Sequence, residues 1–253
     1  MPSSEVSLLF WKEVRQLTRN TGVMLTCLFM PAVLIVLTPV LAILASHTRG
    51  YRTFTVPPLA HRLPGLAEVQ TAQDEFLLVV MPTLFVIASL LAPMLAAIYT
   101  LIVERERRTL ELLLALPVLV GDIVTAKLIA ILATAFATML PMFLVDAVVI
   151  VILTPTQSGY VLAALFLVAS TLVVASCGSV LLALLARDVR TATTYGATLA
   201  AAPLFLTALC IVFIPGLARF VVLGLFMLAL AFGAVYSGIR WLTYERYVSA
   251  SAA

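Results

Sequence analysis

Six mostly apolar stretches limit what this chain can fold into more than any other feature: 22–46, 76–103, 128–153, 160–186, 191–214 and 217–242. Crossing about 30 Å of hydrocarbon at about 1.5 Å per residue takes roughly 20 apolar residues, and each stretch is long enough. Backbone N–H and C=O groups find no water inside a bilayer, so a spanning segment must pair them internally. None of the stretches alternates apolar with polar residues as a barrel strand does, so all six are expected to be helices. The predicted fold class is an all-α integral membrane protein with six transmembrane helices.

Composition agrees. Of 253 residues, 63% are hydrophobic and only 11% charged, and the mean hydropathy is +1.17. Soluble domains carry about 25% charged residues, so a water-facing enzyme is excluded, as is a disordered chain. Cys27, Cys177 and Cys210 lie within apolar stretches without C-x-x-C spacing, which implies neither a disulfide framework nor a zinc site. Before the first stretch there is a charged segment and no A-x-A cleavage site comes after it, so this stretch is expected to stay in the chain.

The basic residues set the orientation. Lys12, Arg15, Arg19, Arg105, Arg107, Arg108, Lys127, Arg187, Arg190, Arg240 and Arg246 fall on one side, against Arg49, Arg52, Arg62 and Arg219 on the other. By the positive-inside rule both termini are cytoplasmic, the loop 47–75 is exterior and the segment 104–127 is cytoplasmic.

Two elements are predicted at the cytoplasmic surface. Within 4–20, Val6, Leu9, Phe10, Val14 and Leu17 recur at helical spacing opposite Glu5, Lys12, Arg15 and Arg19, which describes an amphipathic helix with Ser3 or Ser4 as cap. It serves either as a lipid-anchoring collar or as a collar that also contacts a partner. The segment 104–127, ERERRTLELLLALPVLVGDIVTAK, is much longer than a turn requires. Glu104 and Arg108 pair at four-residue spacing, Thr109 caps a short helix, Leu110, Leu113 and Leu114 form one face of it beside Glu111, and Pro117 stops it. Asp122 is placed to cap the third span. The segment is either a helix docking into another protein's groove or a charged interfacial loop.

The run ERERRTLELLLALP after a second span, with an amphipathic N-terminal helix and six spans, resembles the ABC-2 type permeases, the membrane subunits of exporters of the ABCG-like, type V architecture. The motif occupies 104–117, with Arg108 where the family often has Gly, while the layout covers the whole chain as one permease domain, 1–253. The resemblance implies that Thr109–Leu116 is a coupling helix seated on a separate ATP-binding subunit and that 4–20 is the connecting helix. It also implies that a second permease copy or paralogue completes the translocation path. No GxxxxGK[ST] loop occurs in these residues, so ATP and Mg are expected on the partner subunit and no cofactor on this chain. The expected location is a bacterial inner membrane; no nucleic acid partner is expected.

Polar groups in the spans are the remaining candidates. The resemblance assigns the path to the second and fifth spans, which nominates Thr83, Ser89, Tyr99 and Thr100 together with Thr191, Thr194, Tyr195 and Thr198. Each hydroxyl has the alternative of bonding back to its own helix. Asp146 is the one charge deep in a span, about 10 Å from the exterior end of the third helix. It serves a water-filled vestibule, a structural role, or a pair with Arg219. Ala175, Ser179 and Ala183 on the fourth span, and Ala229, Gly233 and Ser237 on the sixth, have the spacing of close-packing seams. Pro82, Pro93, Pro141 and Pro203 permit kinks. The loop 47–75 is expected to cap the pore mouth, with His47 and His61 as ordinary surface histidines. An ion-coupled secondary transporter is the competing function, although repeats and further buried charges are not visible. An intramembrane enzyme lacks a catalytic set, since neither histidine is in a span. A lipophilic or amphipathic substrate suits the apolar, charge-poor spans.

Overall fold

The computed structural model describes residues 10–15, 21–41, 63–69, 72–97, 120–153, 158–185 and 189–241. Every regular element among them is helical. Residues 10–15 belong to an N-terminal helix. After it, α1 comprises Thr21–Ala32 and a π-helical stretch Val33–Leu37 and runs on to residue 41. Next, α2 joins Ala72–Glu75, a π-helical stretch Phe76–Val80 and Met81–Ala97. The others are α3 (Val120–Leu153), α4 (Ser158–Leu185), α5 (Val189–Phe213) and α6 (Ala218–Trp241). Five of them contain apolar runs long enough to cross a membrane: Phe76–Ala97, Val124–Ile152, Gly159–Leu182, Thr194–Phe213 and Ala218–Ser237. The apolar part of α1, Cys27–Leu41, is shorter than these.

Only a few residues separate α3 from α4, α4 from α5 and α5 from α6, so these neighbours run antiparallel. The inner helices are α2 and α4: α2 packs on α1, α3, α4 and α5, and α4 packs on α2, α3, α5 and α6, most extensively on α6. Met81, Phe85, Met139, Phe143, Leu167, Phe220 and Met227 fill the centre. The Phe85 and Phe143 ring centroids stand 5.6 Å apart, and Tyr160 meets Phe220 edge to face at 5.2 Å.

Some sequence expectations change here. The segment 104–127 gives its residues from Val120 onward to α3, because the apolar run of that helix begins ahead of Lys127. Lys127 is therefore two turns inside a helix, and Asp122 lies in the first turn rather than at the cap. On α4, Ala175 and Ser179 are buried as a seam requires. On α6, Ala229, Gly233 and Ser237 are exposed, and a Cβ on Gly233 would meet nothing within 4 Å. The close approach of α6 to α4 is at Gly224, where a Cβ would sit 2.5 Å from Phe166 Cε1 and 3.0 Å from Ser170 Oγ. Spacing alone does not say which small residue faces a neighbour.

Candidate functional site

At one end of the bundle, proline chemistry dictates the arrangement. Pro82 has no N–H, and the π-helical step before it sends the Met81 N–H to Phe76 O, so together they leave carbonyls one turn before Pro82 on α2 without a helical donor. Two of them are taken from other helices. The Tyr160 hydroxyl of α4 donates to Leu77 O at 3.1 Å, and Arg219 Nη1 of α6 donates to Leu78 O at 2.7 Å. Arg219, 1% exposed, also donates from Nη2 to Gly65 O at 2.9 Å and from Nε to Gly216 O at 3.0 Å. Its Nη2 stands 3.9 Å from Glu68 Oε2, and that oxygen accepts the Gly216 N–H at 2.6 Å. Gly216 has φ +61°, the left-handed region that glycine enters without steric cost. Gly65 donates to Val212 O at 3.0 Å, and a Cβ there would collide with the Ile211 and Val212 backbone. One guanidinium thus fastens the 63–69 segment, the start of α2 and the α5–α6 turn.

This arrangement excludes the Asp146–Arg219 pair. The carboxylate of Asp146 is buried, and neither oxygen has a hydrogen-bond partner among the described residues. Tyr160 gives its hydroxyl proton to Leu77 O. The guanidinium goes instead to carbonyls that proline and a turn leave open.

The nominated path residues do not share one surface. Ser89 is fully buried inside the bundle, its hydroxyl without a partner among the described residues. Thr83 donates to Val79 O at 3.0 Å, Thr194 to Arg190 O at 3.0 Å and Thr198 to Tyr195 O at 2.8 Å, all within their own helices. Thr191 is partly buried, whereas Thr194, Tyr195 and Thr198 are exposed along α5. That exposed face continues through Ala197, Ala201, Ala202, Phe205 and Ala208, mixing small residues with a few large ones. The exposed face of α6 carries Val221, Leu225, Phe226, Phe232 and Tyr236. Tyr99, Thr100, Glu104, Arg108, Thr109, Leu110, Glu111, Leu113, Leu114 and Pro117 lie outside the described residues, as do His47 and His61.

At the other end, sequence reasoning missed a contact. Lys127 Nζ donates to Glu13 Oε1 at 2.9 Å, and the two side chains are 2% and 3% exposed. A signal for it existed: Glu13 stands three residues after Phe10 and four after Leu9, on the apolar side of the N-terminal helix. Between α1, α2 and α3 there is a void of about 20 Å³ lined by Met24, Cys27, Ala92, Ala96, Thr134, Ala135 and Thr138. It has room for about one water and none for a substrate. Among the described residues no group of three or more His, Cys, Asp or Glu is placed to hold a metal.

Long apolar helices, inner helices joined by hydrogen bonds between spans, and apolar faces left exposed on α5 and α6 define a polytopic helical membrane protein. A family model described as ABC-2 family transporter protein matches residues 8–237. The chain belongs to that family and is a multi-pass membrane permease, a transport component of the ABC type. No curated protein and no solved structure matches it.

Proposed function

We propose that the chain is the transmembrane subunit of an ATP-driven ABC exporter, working with a separate ATP-binding subunit that holds ATP and Mg. The family match over residues 8–237 carries this reading. In it, α1 is the first of six spans, with a shorter apolar run than the others, and both termini face the cytoplasm of a bacterial cell, the basic residues favouring that side. The 4–20 stretch is the connecting helix. Thr109–Leu116 is the coupling helix, with Leu110, Leu113 and Leu114 inserted in the ATP-binding subunit and Glu104, Arg108 and Glu111 around them.

A second permease copy or paralogue packs on the exposed α5 face. Small residues let helix backbones approach closely in lipid, where bulky side chains gain nothing from pairing, and α5 offers Ala197, Ala201 and Ala202 where α6 offers mainly large residues. Thr194, Tyr195 and Thr198 then border the translocation path, and its apolar character suits a lipophilic or amphipathic substrate.

The test is copurification with a Walker-motif ATP-binding subunit. It is expected with the parent chain and lost in Leu113→Asp/Leu114→Asp, provided that the variant still inserts. Retention by that variant would overturn docking at these leucines. An ion-coupled carrier would have Asp146 as its one buried acid among the described residues of the spans, and a relay needs a chain of such groups.

A further inference from the structure

A helix that only lies on lipid has no use for an acid on its apolar side. Glu13 is nonetheless buried there, against a lysine 114 residues further along the chain. Lys12, beside it, is largely exposed and only 3.9 Å from the same Oε1, so Glu13 already has a solvent-side cation and its burial against α3 needs another reason. Glu13 Oε2 is buried without a hydrogen-bond partner among the described residues, so the contact is not optimised for stability. Buried ion pairs of this kind are poor sources of net stability; their best-attested use is to fix register. The register fixed here is that of the N-terminal helix on α3. Lys127 lies two turns into α3, and α3 starts at Val120, three residues after Pro117 ends the leucine-bearing segment.

We infer that Glu13 and Lys127 are positioning residues that bind the N-terminal helix to the start of α3, so that a displacement delivered to 104–117 moves both helices together. The inference rests on the proposed coupling to an ATP-binding subunit. Neither residue touches nucleotide or substrate. The pair sets how far ATP-driven movement is passed on, rather than whether the subunits assemble.

The experiment uses the permease and its ATP-binding subunit reconstituted together in lipid nanodiscs. It compares the parent, Glu13→Gln, Lys127→Gln and the charge swap Glu13→Lys/Lys127→Glu. Three readouts are taken: copurification of the ATP-binding subunit, ATPase rate, and the distance between spin labels at Trp11→Cys and Ile129→Cys, both exposed positions, with the native cysteines replaced. Each single variant is expected to keep the ATP-binding subunit, lose about tenfold in ATPase rate and broaden the label distance, and the swap to recover rate and narrow distance together. In the parent the label distance stays the same with and without ATP.

Single variants with parental rate and parental distance would overturn the inference, as would a swap that restores the fold but not the rate. If the parent itself captures no ATP-binding subunit, the proposed function fails instead, and the label distances still decide whether the pair fixes the helix. Should the single variants insert poorly, the swap alone decides, because it keeps an ion pair at the same place.

Discussion

Arg219 Nη1 lies 2.7 Å from the carbonyl of Leu78, the oxygen that Pro82, four residues later, leaves without a helical donor. A proline on one span thereby sets the requirement for an arginine at the start of another, and the expensive burial of a guanidinium is offset by acceptors that would otherwise stay open. Replacing Arg219 with Met leaves three carbonyls without their donor. The expected loss is about 3 kcal/mol or more, read as a lowered unfolding midpoint in detergent. Pro82→Ala restores an N–H for Leu78, so added to Arg219→Met it should recover about 1 kcal/mol, and the double-mutant cycle should be non-additive. Strict additivity would show that the two residues do not share this oxygen.

Asp146 predicts the opposite sign. Both of its oxygens are buried and unpartnered among the described residues, so the carboxyl is a cost in the resting fold. Asp146→Asn should fold normally, and Asp146→Leu should raise thermal stability by about 1–3 kcal/mol. A clear loss of stability in Asp146→Leu would reveal a partner for the acid. A stabilised variant that no longer transports would mark the acid as functional.

Two glycines on α6 separate close packing from bare surface. Gly224→Leu forces a side chain into Phe166 and Ser170 and is expected to cost about 1–3 kcal/mol. Gly233→Leu meets open space and should leave the melting temperature of the purified subunit nearly unchanged. Equal effects at the two positions would contradict the packing of α6 on α4.

The bare face of α5 predicts an assembly phenotype. Ala201→Trp adds bulk to an exposed position, so the subunit should fold while native mass spectrometry shows fewer permease pairs. Phe232→Trp on α6, also exposed, is the control and should leave pairing intact. A drop in pairing with the control alone would move the interface to α6.

The long helices were legible because lipid imposes a length and a polarity on each of them, and five apolar runs of the sequence coincide with five long apolar helices. Partner choice was not legible. Opposite charge suggested Arg219 for Asp146, yet the guanidinium answers to carbonyls whose need is created by Pro82 and by the Gly216 turn, and no hydropathy pattern carries that information. The spacing of Ala229, Gly233 and Ser237 looked like a seam, but the same spacing serves any face, and only the placement of Phe166 picks out Gly224. The acid at position 13 was visible on the wrong side of its helix, but its reason, Lys127, appears only once α3 is in place. Thr194 and Thr198 of α5 bond back to their own turns, as threonines in helices commonly do, although the face that carries them is open.

Because one side chain holds Gly65, Leu78 and Gly216 together, with Glu68 closing the circle, parting that end of the bundle resembles releasing a single buckle rather than drawing a zipper. Loosening one of those straps leaves the others still fastened. Freeing the arginine, by contrast, would release the carbonyls of Gly65, Leu78 and Gly216 at once.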